Sequence, residues 1–445
     1  MKLSIPALKI NLNDIVFQYQ YHQVVRYIVS FLVSVIMVRS ALPTVDLGTY
    51  ELLIFVVISI SGFWSNGIKN AFISYYNHPD EISNRNLPWT VFLILSGIAG
   101  LLSMMLIIFP GILSFFGTVN LEKYVPVIGV YLFFIAGIPL TETIFLLEKK
   151  SNLLWQYTYW SQSGIIILSV LAALFRPELD VFIFILIFWA FIRWCYLILF
   201  VLRPYKFCFD YKQFYVFGIF AVPLILNMIT GSAMDMIDGL FIAHYFEPDF
   251  FPVFRYGARE MPLASLLFSS LSLAMIPLLT EDMKHISILK EKTTRHLHLL
   301  APLSILLMIA APYLFTLVYG TEYKVSAFIF NIYLLIMVSR VMLPQTICLA
   351  KHQHSIIVWS GITEVLANII LSYWWLRYWG VYGLAAGTIV AYAIQKAILI
   401  IYNNKVNGIS IAQYIDLKAY LIYTFLLILT FIATFIFNDS LIGYL

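Results

Sequence analysis

Charged residues are scarce in this sequence. Only 11% of the 445 residues are Asp, Glu, Lys or Arg, whereas 62% are hydrophobic, and the mean hydropathy is +0.89. A soluble domain carries about 25% charged and about 45–50% apolar residues. The composition therefore excludes an ordinary soluble protein and predicts a polytopic membrane protein.

Cysteine and the usual catalytic motifs are scarce as well. The three cysteines, Cys195, Cys208 and Cys348, are odd in number and scattered, so neither a disulfide framework nor a zinc site is expected. The sequence shows no P-loop, dinucleotide fingerprint, nucleophile elbow or cluster of metal ligands. We therefore expect no catalytic residue, no metal and no cofactor. The small net charge of +4 argues for orientation in a membrane and against a nucleic-acid partner.

Long apolar runs are what the sequence has instead. A run of about 18–25 apolar residues is long enough to cross a bilayer as a helix. Thirteen such runs are separated by connections too short for a soluble domain. They are residues 21–39, 51–74, 90–109, 125–146, 155–174, 181–202, 214–242, 262–280, 297–319, 327–349, 355–378, 382–402 and 419–437.

The distribution of basic residues predicts the orientation. Lysine and arginine are enriched in short cytoplasmic loops of membrane proteins. With the N-terminus in the cytoplasm, the cytoplasmic segments hold fourteen of these residues and the opposite side holds six. We therefore expect a cytoplasmic N-terminus, and thirteen spans would place Leu445 outside.

The two halves of the chain repeat each other. The segment that starts at Thr141 aligns with the segment that starts at Pro344, and Thr143 and Ser169 match Thr346 and Ser372 at a constant shift of 203. Residues 38–51 align with residues 242–255 at a shift of 204. Six helices per repeat give both halves the same topology. We predict an all-α membrane protein with a six-helix lobe at 1–205, a second at 206–405, and an extra transmembrane segment at 406–445.

One stretch, residues 222–254, carries a polar face on an apolar helix. Asn227, Gly231, Asp235 and Asp238 recur at steps of four, four and three, which places them on one side of a helix. Carboxylates at bilayer depth are costly and normally face a bundle interior or a wet cavity. We therefore expect Asp235 and Asp238 to line a cavity, although small and polar residues also make plain helix–helix contacts in membranes.

Several further charges lie inside the predicted spans. Arg340, Glu364 and Lys396 lie deep, whereas Arg26 and Lys69 lie nearer the cytoplasmic ends, where long side chains can reach the interface. Bases and acids together fit a cavity that holds an anionic headgroup and a coupling cation. They also fit internal salt bridges, and both interpretations stay open at this point.

Three stretches carry a resemblance to a known family. Residues 40–50, SALPTVDLGTY, resemble its exit from helix 1, and residues 238–254, DGLFIAHYFEPDFFPVF, resemble its exit from helix 7. Residues 367–392 match an asparagine in helix 11 and a Gly-x-x-Gly-x-Ala-x-x-Thr start of helix 12. The chain resembles the Wzx-type polysaccharide and O-antigen flippases of the MATE-like multidrug/oligosaccharidyl-lipid/polysaccharide exporter superfamily. It departs at Gly239, where the family usually has arginine, and in its thirteenth span.

The resemblance implies two six-helix lobes in a V and alternating access. It also implies that the protein moves undecaprenyl-diphosphate-linked oligosaccharides across the bacterial cytoplasmic membrane for O-antigen, lipopolysaccharide, capsule or exopolysaccharide synthesis. A polysaccharide polymerase and a chain-length regulator would then be candidate partners, besides membrane lipids. On this hypothesis one group of residues binds substrate and a second group responds to H+ or Na+. The first comprises Arg26, Lys69, Asn227, Arg340 and Lys396, and the second Asp235, Asp238 and Glu364.

Two alternatives remain at the level of sequence. A multidrug–cation antiporter of the same fold would have a mainly acidic cavity, and the basic residues inside the spans argue against it. A membrane polysaccharide polymerase or acyltransferase would be an enzyme. The polymerase would need a large extracytoplasmic loop, and the acyltransferase a paired histidine and carboxylate.

Overall fold

The structure of the chain is a computed structural model, and it describes residues 15–76, 86–117, 121–207, 209–259 and 261–436. Within these residues every regular element is helical, as the sequence predicts. Contacts divide the chain into two compact units, residues 1–232 and 233–445. The finer division into lobes at 1–205 and 206–405, with a segment at 406–445, stays a prediction.

The first unit holds seven complete helices and most of an eighth. Prolines stand in the first turn of α3, α4 and α5, where the missing N–H has no partner to lose. One predicted span contains two of these helices, because α4 ends before Pro139 and α5 begins at it. The helices are α1 (Ile15–Arg39), α2 (Thr44–Tyr76), α3 (Leu87–Ile108), α4 (Val125–Gly137), α5 (Pro139–Leu147), α6 (Ser151–Phe175), α7 (Leu179–Tyr196) and α8 (Tyr211–Tyr245), which continues into the second unit.

The second unit continues from α8. Its last long helix, α17, has Leu427 as its one buried residue among those described and packs on α11 and α12. The helices are α9 (Phe250–Gly257), α10 (Pro262–Glu281), α11 (Ile286–Val318), α12 (Lys324–Leu334), α13 (Ile336–Arg340), α14 (Pro344–Ala350), α15 (His354–Lys405), α16 (Ile411–Tyr414) and α17 (Leu417–Ile436).

The helices have the length and apolarity of membrane spans. Among the described residues ten helices are long and apolar enough to cross a bilayer, or eleven when the two parts of α8 count as one span. Segment 267–281 of α10 is a shorter apolar helix, and α15 contains two of the predicted spans on either side of a break. Large apolar side chains such as Leu174 and Phe175 are exposed, as expected of surfaces that contact lipid.

The internal repeat is visible in the backbone of two turns. Lys149 and His352 are the non-glycine residues with positive φ in the described chain, at 55° and 56°, and they are related by the shift of 203. In both turns the next residue donates its N–H to the carbonyl five positions earlier, from Lys150 to Phe145 and from Gln353 to Cys348. This left-handed helix ending is the Schellman motif. The turns α5–α6 and α14–α15 therefore share one backbone conformation.

Candidate functional site

The second unit contains a tight helical hairpin within α15. Trp379 and Gly380 leave helical geometry there, and Gly380 has a φ of 53°, which glycine adopts without strain. A Cβ on Gly383 would lie 2.1 Å from the Trp375 carbonyl oxygen, and one on Gly387 would lie 3.0 Å from Ser372. The small residues therefore let the two arms of the hairpin approach closely.

The hairpin brings polar side chains against Asp238 of α8. Thr388 Oγ1 lies 2.7 Å from Asp238 Oδ2 and 2.9 Å from Oδ1, and Asn368 Nδ2 donates to Oδ1 at 3.4 Å. Tyr333 of α12 donates to Oδ2 at 2.6 Å, and Ser372 Oγ donates to Asn368 Oδ1 at 2.7 Å. We call these five residues the Asp238 cluster.

The Asp238 cluster is closed off from its surroundings. Asp238 is only 5% exposed, and Asn368 and Ser372 are fully buried. A buried carboxylate is tolerated when several donors satisfy its oxygens. The cluster concentrates carboxylate, hydroxyl and amide oxygens, which are the ligand atoms that hard cations prefer. It can therefore hold a proton or a small cation.

Two of the predicted basic residues converge on one aromatic ring. Arg340 Cζ lies 4.9 Å and Lys396 Nζ lies 4.8 Å from the ring centre of Tyr392 on α15. Lys396 is only 5% exposed. A cation over the face of an aromatic ring is attracted to it, and desolvation strengthens the attraction. Tyr392 therefore holds two cations in one place inside the second unit.

Another acid predicted from the sequence, Glu364, is also buried. Glu364 lies on α15 one helical turn before Asn368, and it is 8% exposed. Asn227 and Asp235 of α8 were predicted from the same polar face as Asp238. Their side chains lie outside the described residues, so their roles stay predictions.

The first unit brings Arg26 and Lys69 towards a common carboxylate. Arg26 Nη1 lies 3.4 Å from Glu142 Oε1, and the charge of Lys69 also acts on this carboxylate. Glu142 is 2% exposed and contacts His22 as well. Arg26 therefore forms an internal ion pair with Glu142, which is one of the two interpretations that the sequence left open.

Several residues of these clusters carry little signal in the sequence. Tyr333 and Tyr392 are two of 29 tyrosines. Tyrosine is common at membrane–water interfaces, so a tyrosine in the sequence does not by itself indicate a site. His22 lies one helical turn before Arg26, so the spacing of four was available as a signal. Its partner Glu142 is 120 positions away, and only the fold brings the two together.

Comparison with known families gives one match over most of the chain. A family model described as "Polysaccharide biosynthesis protein" matches residues 36–328. A search of curated protein sequences gives no match.

Solved structures share the fold of most of the chain. A lipid II flippase, MurJ, in an inward closed conformation gives a TM-score of 0.69 at 17% identity, with 95% of this chain and 99% of that chain covered. An inward-facing multidrug resistance MATE family transporter of the MOP superfamily gives 0.61 at 13% identity, covering 84% and 93%. The Vibrio cholerae MATE transporter VcmN in the bent form gives 0.57 at 13% identity, covering 93% and 98%. The fold predicted from the sequence is confirmed.

Proposed function

This chain belongs to the family of polysaccharide biosynthesis proteins, and we propose that it is a flippase for undecaprenyl-diphosphate-linked oligosaccharides in the bacterial cytoplasmic membrane. The proposal includes alternating access and a role in the synthesis of a surface polysaccharide such as O-antigen, capsule or exopolysaccharide. One protein that shares the fold is named a lipid II flippase, which supports a flippase function for this chain.

The observation that carries the proposal is the pair of cations on Tyr392. A charge inside a membrane protein is costly and marks a substrate or ion pathway. Arg340 offers a planar fork of donors that matches phosphate oxygens, and Lys396 adds a compact charge. Since both lie within 5 Å of the same ring centre, a diphosphate is the kind of anion that can engage both.

Arg26 and Lys69 are the proposed substrate-binding residues of the first unit. Arg26 is 45% exposed on one side while it contacts Glu142 on the other. Its exposed N–H groups can donate hydrogen bonds to an anion, and Lys69 adds positive charge. Asn227 would contribute a neutral polar contact to sugar or phosphate.

The acids would couple transport to an ion. Asp238, with Asp235 and Glu364, would respond to H+ or Na+ and favour one conformation over another, since a ligand shifts an equilibrium only through its different affinities for the two states. The closed arrangement of the Asp238 cluster supports this role, because three neighbouring side chains already place polar groups against the carboxylate and Ser372 holds one of them, Asn368.

A polysaccharide export assay tests the substrate site. In a strain that depends on this chain for its surface polysaccharide, Arg340→Ala and Lys396→Ala should each abolish export while the protein still inserts. The matched control is Arg377→Ala, because Arg377 lies 4.3 Å from the ring centre of Tyr373 but is exposed. Normal export by both Arg340→Ala and Lys396→Ala would refute the substrate site.

A multidrug–cation antiporter is the second candidate function. The similar fold of the multidrug resistance MATE transporter favours it, whereas the two cations on Tyr392, of which Lys396 is buried, would repel a cationic drug. A susceptibility panel in cells that overproduce the protein separates the two functions. Drug resistance without any change in polysaccharide export would support the antiporter.

A further inference from the structure

Helix α11 extends well beyond the membrane span predicted for it. It runs from Ile286 to Val318 over 33 residues, which at 1.5 Å per residue is about 50 Å. The hydrocarbon core of a bilayer is only about 30 Å thick. The predicted span begins at residue 297, so α11 begins about three helical turns before it. One end of α11 therefore reaches out of the apolar part of the membrane.

One face of α11 is exposed along most of the helix. Its members recur at steps of three, four or seven, so they lie on one side of the helix. They are Lys292, Arg295, Leu299, Leu306, Tyr313 and Leu317. The four uncharged members are 61–80% exposed, and Leu299 and Leu317 are about 27 Å apart along the helix axis. This length matches the hydrocarbon core, so the uncharged part of the face is suited to contact lipid tails.

The exposed face becomes basic within about one turn of Leu299. Lys292 and Arg295, which we call the basic pair, lie three residues apart, so their side chains are neighbours on the helix. Both are exposed, and neither forms an ion pair within the described part of the chain. Glu291 is the one acid of α11, and Lys290 adds a third cation, so this end of the helix keeps a net positive charge. Because the basic pair directly adjoins a lipid-facing surface, it lies at the level of the lipid phosphates.

Helix α17 places another cation at the same level. Lys290 Nζ donates to the Ala412 carbonyl oxygen at 2.8 Å, just before α17 begins. Further along both helices, His298 Nδ1 lies 3.0 Å from the Tyr423 hydroxyl. The helices α11 and α17 therefore run in the same direction. Lys418 of α17 is exposed and precedes Tyr423 by about 8 Å of helix, which brings it level with the basic pair.

The basic pair is particular to the second unit. In the internal repeat the counterpart of α11 is α3, and at the shift of 203 the corresponding residues are Trp89 and Phe92. Helix α3 is also shorter, with 22 residues. A feature that one repeat has and the other lacks is not required by the fold that they share. The extension of α11 and its basic pair therefore need an explanation beyond folding.

We propose that the basic pair and the adjoining exposed face of α11 form a binding site for an anionic phospholipid of the membrane. Arg295 can donate two parallel hydrogen bonds to the phosphate oxygens, and Lys292 adds a compact positive charge. The acyl chains lie along Leu299 and Leu306. Clusters of lysine and arginine next to a transmembrane helix attract anionic lipids in this way. The orientation predicted from the sequence assigns this lipid to the cytoplasmic leaflet, and the site does not depend on the proposed transport function.

Native mass spectrometry of the purified, delipidated full chain in detergent tests the site. Dioleoylphosphatidylglycerol is added in steps, and the affinity for the first bound lipid is measured. The unaltered protein should bind it about tenfold more tightly than the double variant Lys292→Gln/Arg295→Gln. Equal affinities of these two proteins would overturn the proposal.

A matched double variant controls for the loss of charge. Lys284 and Lys405 are exposed lysines at other places in the second unit. Lys284→Gln/Lys405→Gln removes the same charge, and it should keep the affinity of the unaltered protein. An equal loss of affinity in both double variants would show that net charge alone attracts the lipid, and would contradict a site at the basic pair.

Two further ligands identify what the site recognises. Dioleoylphosphatidylcholine has the same acyl chains without a net charge, and it should bind weakly to all three proteins. Glycerophosphoglycerol is the headgroup of phosphatidylglycerol without acyl chains, and it should not be retained at the concentrations at which the lipid is. Tight binding of phosphatidylcholine would refute recognition of charge, and retention of the free headgroup would indicate a site for soluble phosphates instead of a lipid site.

Thermal unfolding without added lipid shows whether the variants keep the fold. Both residues of the basic pair are exposed, so Lys292→Gln/Arg295→Gln should have the Tm of the unaltered protein. If this double variant does not fold, Lys292→Gln and Arg295→Gln are measured singly, and each should lose part of the affinity for phosphatidylglycerol. Full affinity in both folded single variants would overturn the proposal.

Discussion

The hydroxyl of Tyr333 donates a hydrogen bond of 2.6 Å to Asp238 Oδ2 across 95 positions of sequence. It connects α12 with the polar face of α8 inside the second unit. A hydrogen bond to a charged group contributes about 1.5–3 kcal/mol. We expect Tyr333→Phe to lower the free energy of unfolding by about this amount, measured by thermal unfolding of the purified protein.

The control for Tyr333→Phe is the same substitution at an exposed tyrosine. Tyr313 on α11 is 80% exposed, so Tyr313→Phe should change the midpoint of unfolding little. Equal effects of the two substitutions would show that the hydroxyl of Tyr333 has no special role at Asp238.

The sequence was sufficient to predict one side of this contact. Asp238 stands out because a carboxylate in an apolar helix is costly, and Asn368 and Thr388 stand out through the family resemblance. That all three meet depends on the rotation of three helices about their axes. A periodic pattern gives the face of one helix but not the neighbour that the face contacts. Tyr333 therefore could not be identified from the sequence.

Local sequence patterns were also sufficient to predict the helices of the fold, but not the contacts between distant helices. Thirteen apolar runs and a repeat shift of 203 indicate the helices and their order, and the matching turns at Lys149 and His352 share the backbone that the repeat suggests. The convergence of Arg340 and Lys396 on Tyr392 was beyond prediction. Arg340 approaches from α13, and no local spacing relates it to α15.

Gly383 is required by the close approach of the two arms of α15. A Cβ there would lie 2.1 Å from the Trp375 carbonyl oxygen, and a backbone atom cannot be displaced without moving the hairpin. Gly383→Ala should therefore destabilise the protein by about 1–3 kcal/mol, the usual cost of overpacking. Because movement of the hairpin would also displace Thr388 and Asn368, polysaccharide export should fall as well.

Gly97 is the matched control for Gly383. It lies within α3, and a Cβ at this position would meet nothing within 4 Å. Gly97→Ala should stabilise the helix by about 0.5–1 kcal/mol, because alanine loses less conformational entropy than glycine. Thermal unfolding of both variants checks the prediction, which would be wrong if both shifted the midpoint in the same direction.

Tyr392 should be needed for its ring and not for its hydroxyl. Arg340 and Lys396 lie over the ring at 4.9 and 4.8 Å from its centre, and phenylalanine offers a similar face to cations. Tyr392→Phe should therefore preserve polysaccharide export, whereas Tyr392→Leu should reduce it strongly. Protein levels in the membrane provide the control for insertion. Full export by Tyr392→Leu would contradict a role for the ring in positioning the two cations.

The proposed binding of an ion at the Asp238 cluster can be tested without a transport assay. The cluster contains one carboxylate, one amide and three hydroxyls, including that of Tyr333. Oxygen atoms of these kinds suit a hard cation such as Na+. A ligand that binds only the folded state at ten times its Kd adds about 1.4 kcal/mol of stability. Sodium chloride should therefore raise the Tm of the purified protein above that in choline chloride of equal ionic strength, and Asp238→Asn should abolish the difference. A Tm that rises on acidification but not with sodium would instead assign a proton to Asp238.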